Sequence, residues 1–507
     1  MREVQEAQQA REENALNNTL EQALARTSPR IVPPPTPLAS IVIHLGVMVL
    51  WFVLFARAFF LQGVVAWSTG IAYVVYDTLL LLFVAWKAAV LLRPPVAAVS
   101  ATAAGDAPLP TLGVIVAAHN EAAVLPITLD ALFAQSLPPQ QIVIADDGSS
   151  DGTAALLVER YGLADPGEGQ LSAPSAQYPT LRWLKLPHGG KARALNAALL
   201  AIDTDTLMTV DADTLLEADA CAAMARAFGG ERALVAAAGL LAPVCNTSLS
   251  GRFFQWFQTY EYIRNFISRF AWMRADSLLL VSGAFACFRR DAVMAVGGFD
   301  PRCLVEDYEL IHRLRRYSAR EGLGWDVRVI GAARARTDAP GTLTSFLRQR
   351  RRWFAGFLQT QYWYRDMTGN RRYGKLGLMM LPVKAFDTVQ PIYGLTAFAL
   401  LLGFLFDGRF TIVLPVLGVI VGKIVIDLAF HLYSVHLYRK WSGDSASSSF
   451  GMAFLAAVFE PFSFQLMRHT GAAMGWLHFL LGRRKWGAQE RTGLTSPGNG
   501  ERAAPSR

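Results

Sequence analysis

Charge is what this sequence has least of. Only 17% of its 507 residues are charged, against 52% hydrophobic, and the mean hydropathy is +0.28. That balance excludes an ordinary soluble enzyme and expects part of the chain in lipid. Cysteine is scarce too. Cys221, Cys245, Cys287 and Cys303 are scattered, with no CxxC spacing and no nearby histidine cluster, which excludes a zinc motif and points to free thiols in a reducing compartment. No apolar segment sits where a cleavable signal peptide would put one, because the residues before Leu38 are polar and end in Pro33-Pro34-Pro35-Thr36-Pro37. The first apolar run is therefore expected to anchor the chain. No tandem repeat is present.

What is abundant is long apolar runs at the two ends. Leu38 to Leu61 and Ile71 to Leu92 each suit a hydrocarbon core that needs roughly 20 residues. Polar residues within them, His44, Arg57, Asp77 and Lys87, could line a polar path, although Arg57 and Lys87 lie near run ends and could snorkel. Leu376 to Phe406 carries Lys384, Asp387 and Pro391, so its first part is expected on the membrane surface before the chain dives near Ile392. In Phe410 to Tyr438, Lys423 and Asp427 are four residues apart and could pair on one helix face. Phe450 to Leu481 is broken by Glu460-Pro461, which suggests a re-entrant pair. The net charge of +8 is explained by basic clusters near run ends, Arg371-Arg372, Arg439-Lys440 and Arg483-Arg484-Lys485, so no nucleic-acid partner is expected.

The chain divides accordingly. A polar tail (1–37), two transmembrane helices (38–92) and a Pro/Ala/Ser/Thr-rich linker (93–110) precede a cytosolic domain (111–353). Interfacial and transmembrane helices (354–481) and a basic polar tail (482–507) follow. Within the domain, Thr111 to Ala118, Gln141 to Ala145, Leu181 to Leu186 and Thr206 to Val210 read as buried strands, with helices at Ala122 to Gln135 and Ala192 to Ile202. Alternating strands and helices predict an α/β layer with a mainly parallel sheet, whose ligands bind at the carboxyl ends of the strands. Those ends are strongly polar: His119-Asn120-Glu121, Asp146-Asp147-Gly148-Ser149-Ser150-Asp151-Gly152 and Asp211-Ala212-Asp213.

The chemistry follows from residue types. Asp211 and Asp213 offer hard oxygen ligands suited to Mg²⁺ or Mn²⁺ on a diphosphate, and Lys191, after the flexible His188-Gly189-Gly190, can approach phosphate. Asp146 and Asp147 can accept hydrogen bonds from a nucleobase or ribose, in a stretch that could equally be an ordinary turn. Glu306-Asp307 could supply a general base or merely cap the helix Tyr308 to Arg316. Gln349-Arg350-Arg351-Arg352-Trp353 adds guanidinium groups and an indole. The aromatic stretch Gly251 to Arg274 could line an acceptor mouth, rest on lipid or pack in the core.

In this order, DDGSSDGT, HGGKARALN, VDADT, SGAFACFRR, VED and QRRRW resemble glycosyltransferase family 2, in the membrane-integrated branch that includes cellulose, hyaluronan, chitin and poly-N-acetylglucosamine synthases. The similarity covers Thr111 to Trp353; Val305 stands where many relatives carry Thr or Gly. The resemblance implies an A-type glycosyltransferase fold, a UDP-sugar or similar nucleotide-sugar donor and a divalent metal. By matching position it implies Asp146 and Asp147 at the base, Lys191 at the diphosphate, Asp211 at ribose or metal, and Asp213 at metal. Asp307, beside Glu306, would take the acceptor proton, while Gln349, Arg352 and Trp353 would hold diphosphate and acceptor sugar. The expected function is inverting transfer to a growing polysaccharide, with single addition to a membrane lipid as the alternative and a transporter whose degenerate nucleotide-sugar domain acts as a sensor as a third class. The sugar, the linkage and any export partner are left open.

Overall fold

The computed structural model describes residues 18–93, 108–444, 448–482 and 493–496. Most of the expected 93–110 linker, the Arg483-Arg484-Lys485 cluster, residues 1–17 and most of the 482–507 tail lie outside the described residues.

Eight strands form one sheet in the order β3-β2-β1-β4-β7-β6-β8-β5. The strands β1 (Leu112–Ala118), β2 (Gln141–Asp147), β3 (Leu181–Leu186) and β4 (Thr206–Asp211) make its parallel half. β1, β2 and β4 are buried almost throughout, because helices cover both faces and leave no need for alternating polarity, while half of the edge strand β3 is partly exposed. The mainly parallel expectation holds there, while beyond β4 the sheet is mixed. β7 (Phe285–Arg289) runs antiparallel between β4 and β6 (Leu234–Val244), and β8 (Asp326–Asp338) pairs parallel with β6 and antiparallel with β5 (Thr214–Leu216). Only two residues separate β4 from β5, yet they lie at the middle and the far end of the strand order. The sheet must therefore curl back on itself, and the Asp211-Ala212-Asp213 turn is where it does so.

The helices follow in chain order. α1 occupies residues 18–27, α2 is Leu38–Arg57, α3 is Ser68–Ala88, and α4 (Leu125–Phe133), α5 (Thr153–Glu159), α6 (Lys191–Ala201) and α7 (Ala220–Gly230) flank the strands. α8 is Leu249–Arg274, α9 Arg290–Ala295, α10 Glu306–Glu321 and α11 Leu343–Trp363. α12 (Leu381–Phe406), α13 (Phe410–Ser442), α14 (Phe450–Phe459) and α15 (Phe464–Leu480) complete the set.

Among the described residues, four helical stretches are long and apolar enough to cross a membrane: Leu38–Arg57, Gly63–Leu92, Leu376–Phe406 and Phe410–Ser442. Leu376–Phe406 begins with a π-turn and then runs as unbroken helix through Pro391 and Ile392, so the expected surface and diving parts share one continuous element. α14 and α15 meet at a 51° bend around Glu460-Pro461, as a broken pair should. Lys423 pairs with Asp427, and also with Asp77 of α3 at 2.7 Å. α8 resolves its three alternatives toward packing. Phe254, Phe257, Tyr260, Phe266 and Trp272 are buried, Phe257 stacks on Phe464 and Phe270 meets Trp441, so the helix cushions the sheet domain against the apolar helices. All four cysteines are buried thiols outside any disulfide.

Candidate active site

The carboxyl ends of β2 and β4 and the start of α10 converge. β4 delivers Asp211, and the turn after it delivers Asp213. Lys191, at the first position of α6, pairs closely with Asp211 and lies 3.8 Å from Glu306 Oε1. Burial alone would push the lysine down, but Asp211, Glu306 and Asp307 hold it above the ordinary lysine range. Asp213 is raised well above the usual carboxylate range, first by burial and then by the charges of Asp211 and Asp338. Burial also raises Glu306, against the pull of Lys191 and Arg352.

Asp307 is held from both sides. Its Oδ2 accepts the Gly283 backbone N–H at 2.6 Å and its Oδ1 that of Tyr308 at 2.8 Å. A Cβ on Gly283 would come 3.0 Å from Asp307 Cβ and 3.1 Å from Oδ2, so the glycine of SGAFACFRR is what lets this carboxylate sit so near. The acid pair does lie in the first turn of α10, where a helix dipole favours it.

The two aspartates of DDGS point to opposite sides of β2. Asp146 turns inward, accepting from Trp183 Nε1 at 3.3 Å and Ser149 N at 2.9 Å. Asp147 grips the HGGK loop: its Oδ1 accepts the Gly189 and Gly190 N–H groups at 2.7 and 3.0 Å, and His188 Nδ1 lies 3.0 Å from Oδ2. Gly148 has φ +67°, and a Cβ there would come 2.6 Å from His188 N, so only glycine allows the two loops to touch. Asp147 is thus tied to the loop that ends in Lys191.

α11 brings Arg352 within electrostatic range of Glu306. Gln349 is buried on the same helix, its Oε1 without a hydrogen-bond partner among the described residues. Trp353 is partly buried, with the Arg350 guanidinium 4.6 Å from its ring centre; Arg350 itself pairs with Glu261 of α8 at 2.6 Å. The structure therefore brings Lys191, Asp211, Asp213, Glu306, Asp307 and Arg352 together, and turns Asp146 into the domain. Sequence reading missed Arg269 of α8. Its Nε and Nη1 are buried without hydrogen-bond partners among the described residues, and burial pushes its guanidinium down to about 10, opposed by Tyr262 and Asp307. Only its place on an aromatic helix could have signalled it.

Two groups could hold a metal. His119, Asp147 and His188 keep their ligand atoms within 4.8 Å of one another, and the two imidazoles stack at 4.4 Å. Both Nδ1 atoms, however, already contact Asp147, whose carboxylate accepts backbone N–H groups besides. Asp211 and Asp213 fit a hard divalent ion better, because a carboxyl raised by neighbouring carboxyls is relieved by a cation.

A curled α/β sheet with acidic strand ends around a lysine is the A-type glycosyltransferase fold. Residues 110–356 match the family described as Glycosyltransferase like family 2. Poly-beta-1,6-N-acetyl-D-glucosamine synthase of Staphylococcus epidermidis is 25% identical over 282 residues, covering 55% of this chain and 62% of that protein. The probable glycosyltransferase YdaM of Bacillus subtilis (strain 168) is 27% identical over 262 residues, 49% of this chain and 55% of that one. The chain thus spans somewhat over half the length of these curated relatives. In three dimensions the mannosyltransferase PcManGT from Pyrobaculum calidifontis, solved with GDP-Man and Mn²⁺, aligns with a TM-score of 0.51 at 20% identity, over 78% of this chain and 99% of that one. Residues 110–356 thus form a family 2 glycosyltransferase domain.

Proposed function

We propose that this is an inverting glycosyltransferase of the inner (plasma) membrane with a cytosolic catalytic domain. It moves a sugar from a nucleotide-diphosphate sugar, a UDP-sugar such as UDP-N-acetylglucosamine or UDP-glucose, to a growing polysaccharide, which it passes outward through its own spans. The carrying observation is that Lys191, Asp211, Asp213, Glu306, Asp307 and Arg352 meet on a domain cushioned by α8 against apolar helices. The named synthases support the polymer, and the GDP-Man and Mn²⁺ of the structural neighbour support the donor class and the metal.

Asp213 and Asp211 would hold Mg²⁺ or Mn²⁺. When bound, such an ion neutralises charge on the departing diphosphate. Lys191, Arg352 and Gln349 bind the diphosphate, and Trp353 offers its face to the acceptor sugar. Asp307 accepts the proton of the acceptor hydroxyl as its oxygen bonds to the anomeric carbon. The bond from that carbon to the diphosphate breaks on the opposite face and its electron pair leaves with the nucleotide, so configuration inverts. Glu306 keeps Lys191 oriented. Asp147 sets the HGGK loop beside the base, and Asp146 braces that strand end from within.

Single addition to a membrane lipid is the second reading, and one observation favours it. Asp77 of α3 pairs with Lys423 of α13, and Tyr73 of α3 accepts from Gln465 of α15, polar ties that hold these helices to one another. Membranes supplied with each radiolabelled UDP-sugar separate the two: a ladder of products supports the polymer, and one lipid-soluble spot supports single addition. No turnover of any nucleotide sugar would overturn both.

A further inference from the structure

The polar segment ahead of α2, expected to be a mere tail, is strapped onto the catalytic domain. Leu20 and Leu24 of α1 are buried. Gly297 has φ +88°, and a Cβ there would come 2.2 Å from Leu24 N and 2.7 Å from Leu20 O, so glycine allows the α1 backbone to rest directly on this loop. Thr27 Oγ1 donates to Val296 O at 2.8 Å. Arg30 forks onto Asp300, Nε to Oδ2 at 2.7 Å and Nη2 to Oδ1 at 3.1 Å, and Asp300 is fully buried. Arg316 of α10 answers with a bond to Thr27 O at 3.2 Å.

The loop under the strap, residues 296–305, runs straight into Glu306 and Asp307. Three helices grip it from other sides. Asn196 of α6 binds both backbone groups of Phe299, at 2.7 and 2.8 Å. Arg313 of α10 donates to Val296 O and Gly298 O at 2.7 and 2.6 Å. Gln359 of α11 accepts from Leu304 N at 3.0 Å and donates to Arg302 O at 3.1 Å. These helices carry Lys191, the acid pair and the Gln349 to Trp353 segment. The fourth grip is the strap, and it alone continues directly into the apolar helix α2.

We infer that Arg30 and Thr27 are positioning residues for the acid pair: through Asp300 and Val296 they fix the loop that sets where Asp307 stands. Arg30 touches none of the candidate site residues. This rests on the reading of Asp307 as the acceptor base. A misplacement of about 1 Å at such a base can cost on the order of 10²-fold in rate, whereas donor binding changes less, because its residues stand on other elements and only Lys191 leans on Glu306.

The test uses the full chain in membranes, with whichever member of a UDP- and GDP-sugar panel the unaltered chain turns over. Arg30→Ala is expected to lower kcat about tenfold or more, with donor KM within about twofold. Arg30→Lys, which keeps the charge but loses the fork, falls between. Arg30→Ala combined with Asp300→Asn removes the stranded buried charge, so thermal stability should return while kcat stays low. Recovery of kcat together with stability would overturn the inference, as would wild-type kcat in Arg30→Ala. If Arg30→Ala cannot be obtained folded, Thr27→Val and Arg30→Lys decide by the same criterion. Asp307→Asn in parallel keeps the two readings apart. Normal turnover there sinks the base assignment itself, whereas an inactive Asp307→Asn beside a fully active Arg30→Ala sinks only the strap.

Discussion

Asp307 owes its placement to a glycine and a helix start, and both were visible as motifs without their meeting being visible. SGAFACFRR and VED are 20-odd residues apart, and it is the Gly283 N–H that joins them. Asp307→Asn should keep that hydrogen bond and UDP affinity while lowering transfer about 10²- to 10⁴-fold, the usual reach of a general base. Wild-type turnover by a folded variant would refute the role. Asp213→Ala should lose dependence on divalent metal and nucleotide affinity together. Because the Asp213 carboxyl is raised, a proton competes with metal below its pKa, so UDP binding with Mn²⁺ should strengthen as pH rises in the unaltered chain and lose that trend in the variant. Equal UDP affinity of the two proteins in Mn²⁺ would remove Asp213 as a ligand. Asp211, Asp213 and Lys191 were legible because strand ends and a glycine loop announce them. The inward turn of Asp146 was not, since two adjacent strand residues face opposite ways and nothing local says which faces Trp183.

At the scale of elements, α11 and α15 form an unusually close pair. Gly471 lies where a Cβ would come 2.6 Å from Arg350 Cβ, and Gly475 where it would come 2.6 Å from Phe354 Cβ and 3.0 Å from Arg351 O. The second half of the broken pair thus packs along the very segment that carries Gln349 to Trp353. Gly475→Leu must separate the two helices or shift α11, an overpacking cost of roughly 1–3 kcal/mol or more. We expect acceptor use to drop furthest and UDP affinity to weaken only in part, since Gln349 and Arg352 move with α11 while Lys191 of α6 and Asp211 of β4 are untouched. Unchanged transfer by the variant would mean that α15 gives α11 no support. The parallel strands were readable from continuous apolar runs, whose burial needs no alternation. The antiparallel β7 and the β5–β8 closure were not, because they depend on which distant strand is left to pair. The strap was invisible for the same reason: Arg30 is polar, ordinary in its local setting, and meets Asp300 only in the folded chain.

Taken as a whole, the molecule has a parity. The strap packs on the catalytic domain, and so does a segment near the other end, where Gly493 N donates to Asp338 Oδ1 at 2.8 Å and Leu494 is buried beside Leu215 and Val244. Two apolar helices precede the domain and two follow it before the bent pair. If those four cross a bilayer, the bent pair has to return to the side it left for residue 493 to reach the domain, which supports the re-entrant reading and a cytosolic tail. A cysteine introduced at Ser496 tests this against a low background, since the four native thiols are buried. No labelling of intact cells by an impermeant thiol reagent is expected; strong labelling would require α14 and α15 to form one full span.

The pairing of Asp77 with Lys423 also bears on how the chain is made. About 350 residues of synthesis separate the two partners. At roughly 5–20 residues per second, α3 emerges and waits some 20–70 seconds before its counter-ion exists. During that interval Asp77 lacks the partner that answers its charge, which in a hydrocarbon setting would cost a few kilocalories per mole. Any truncation before residue 423 leaves α3 without this counter-ion, so the final packing of α3 waits for α13.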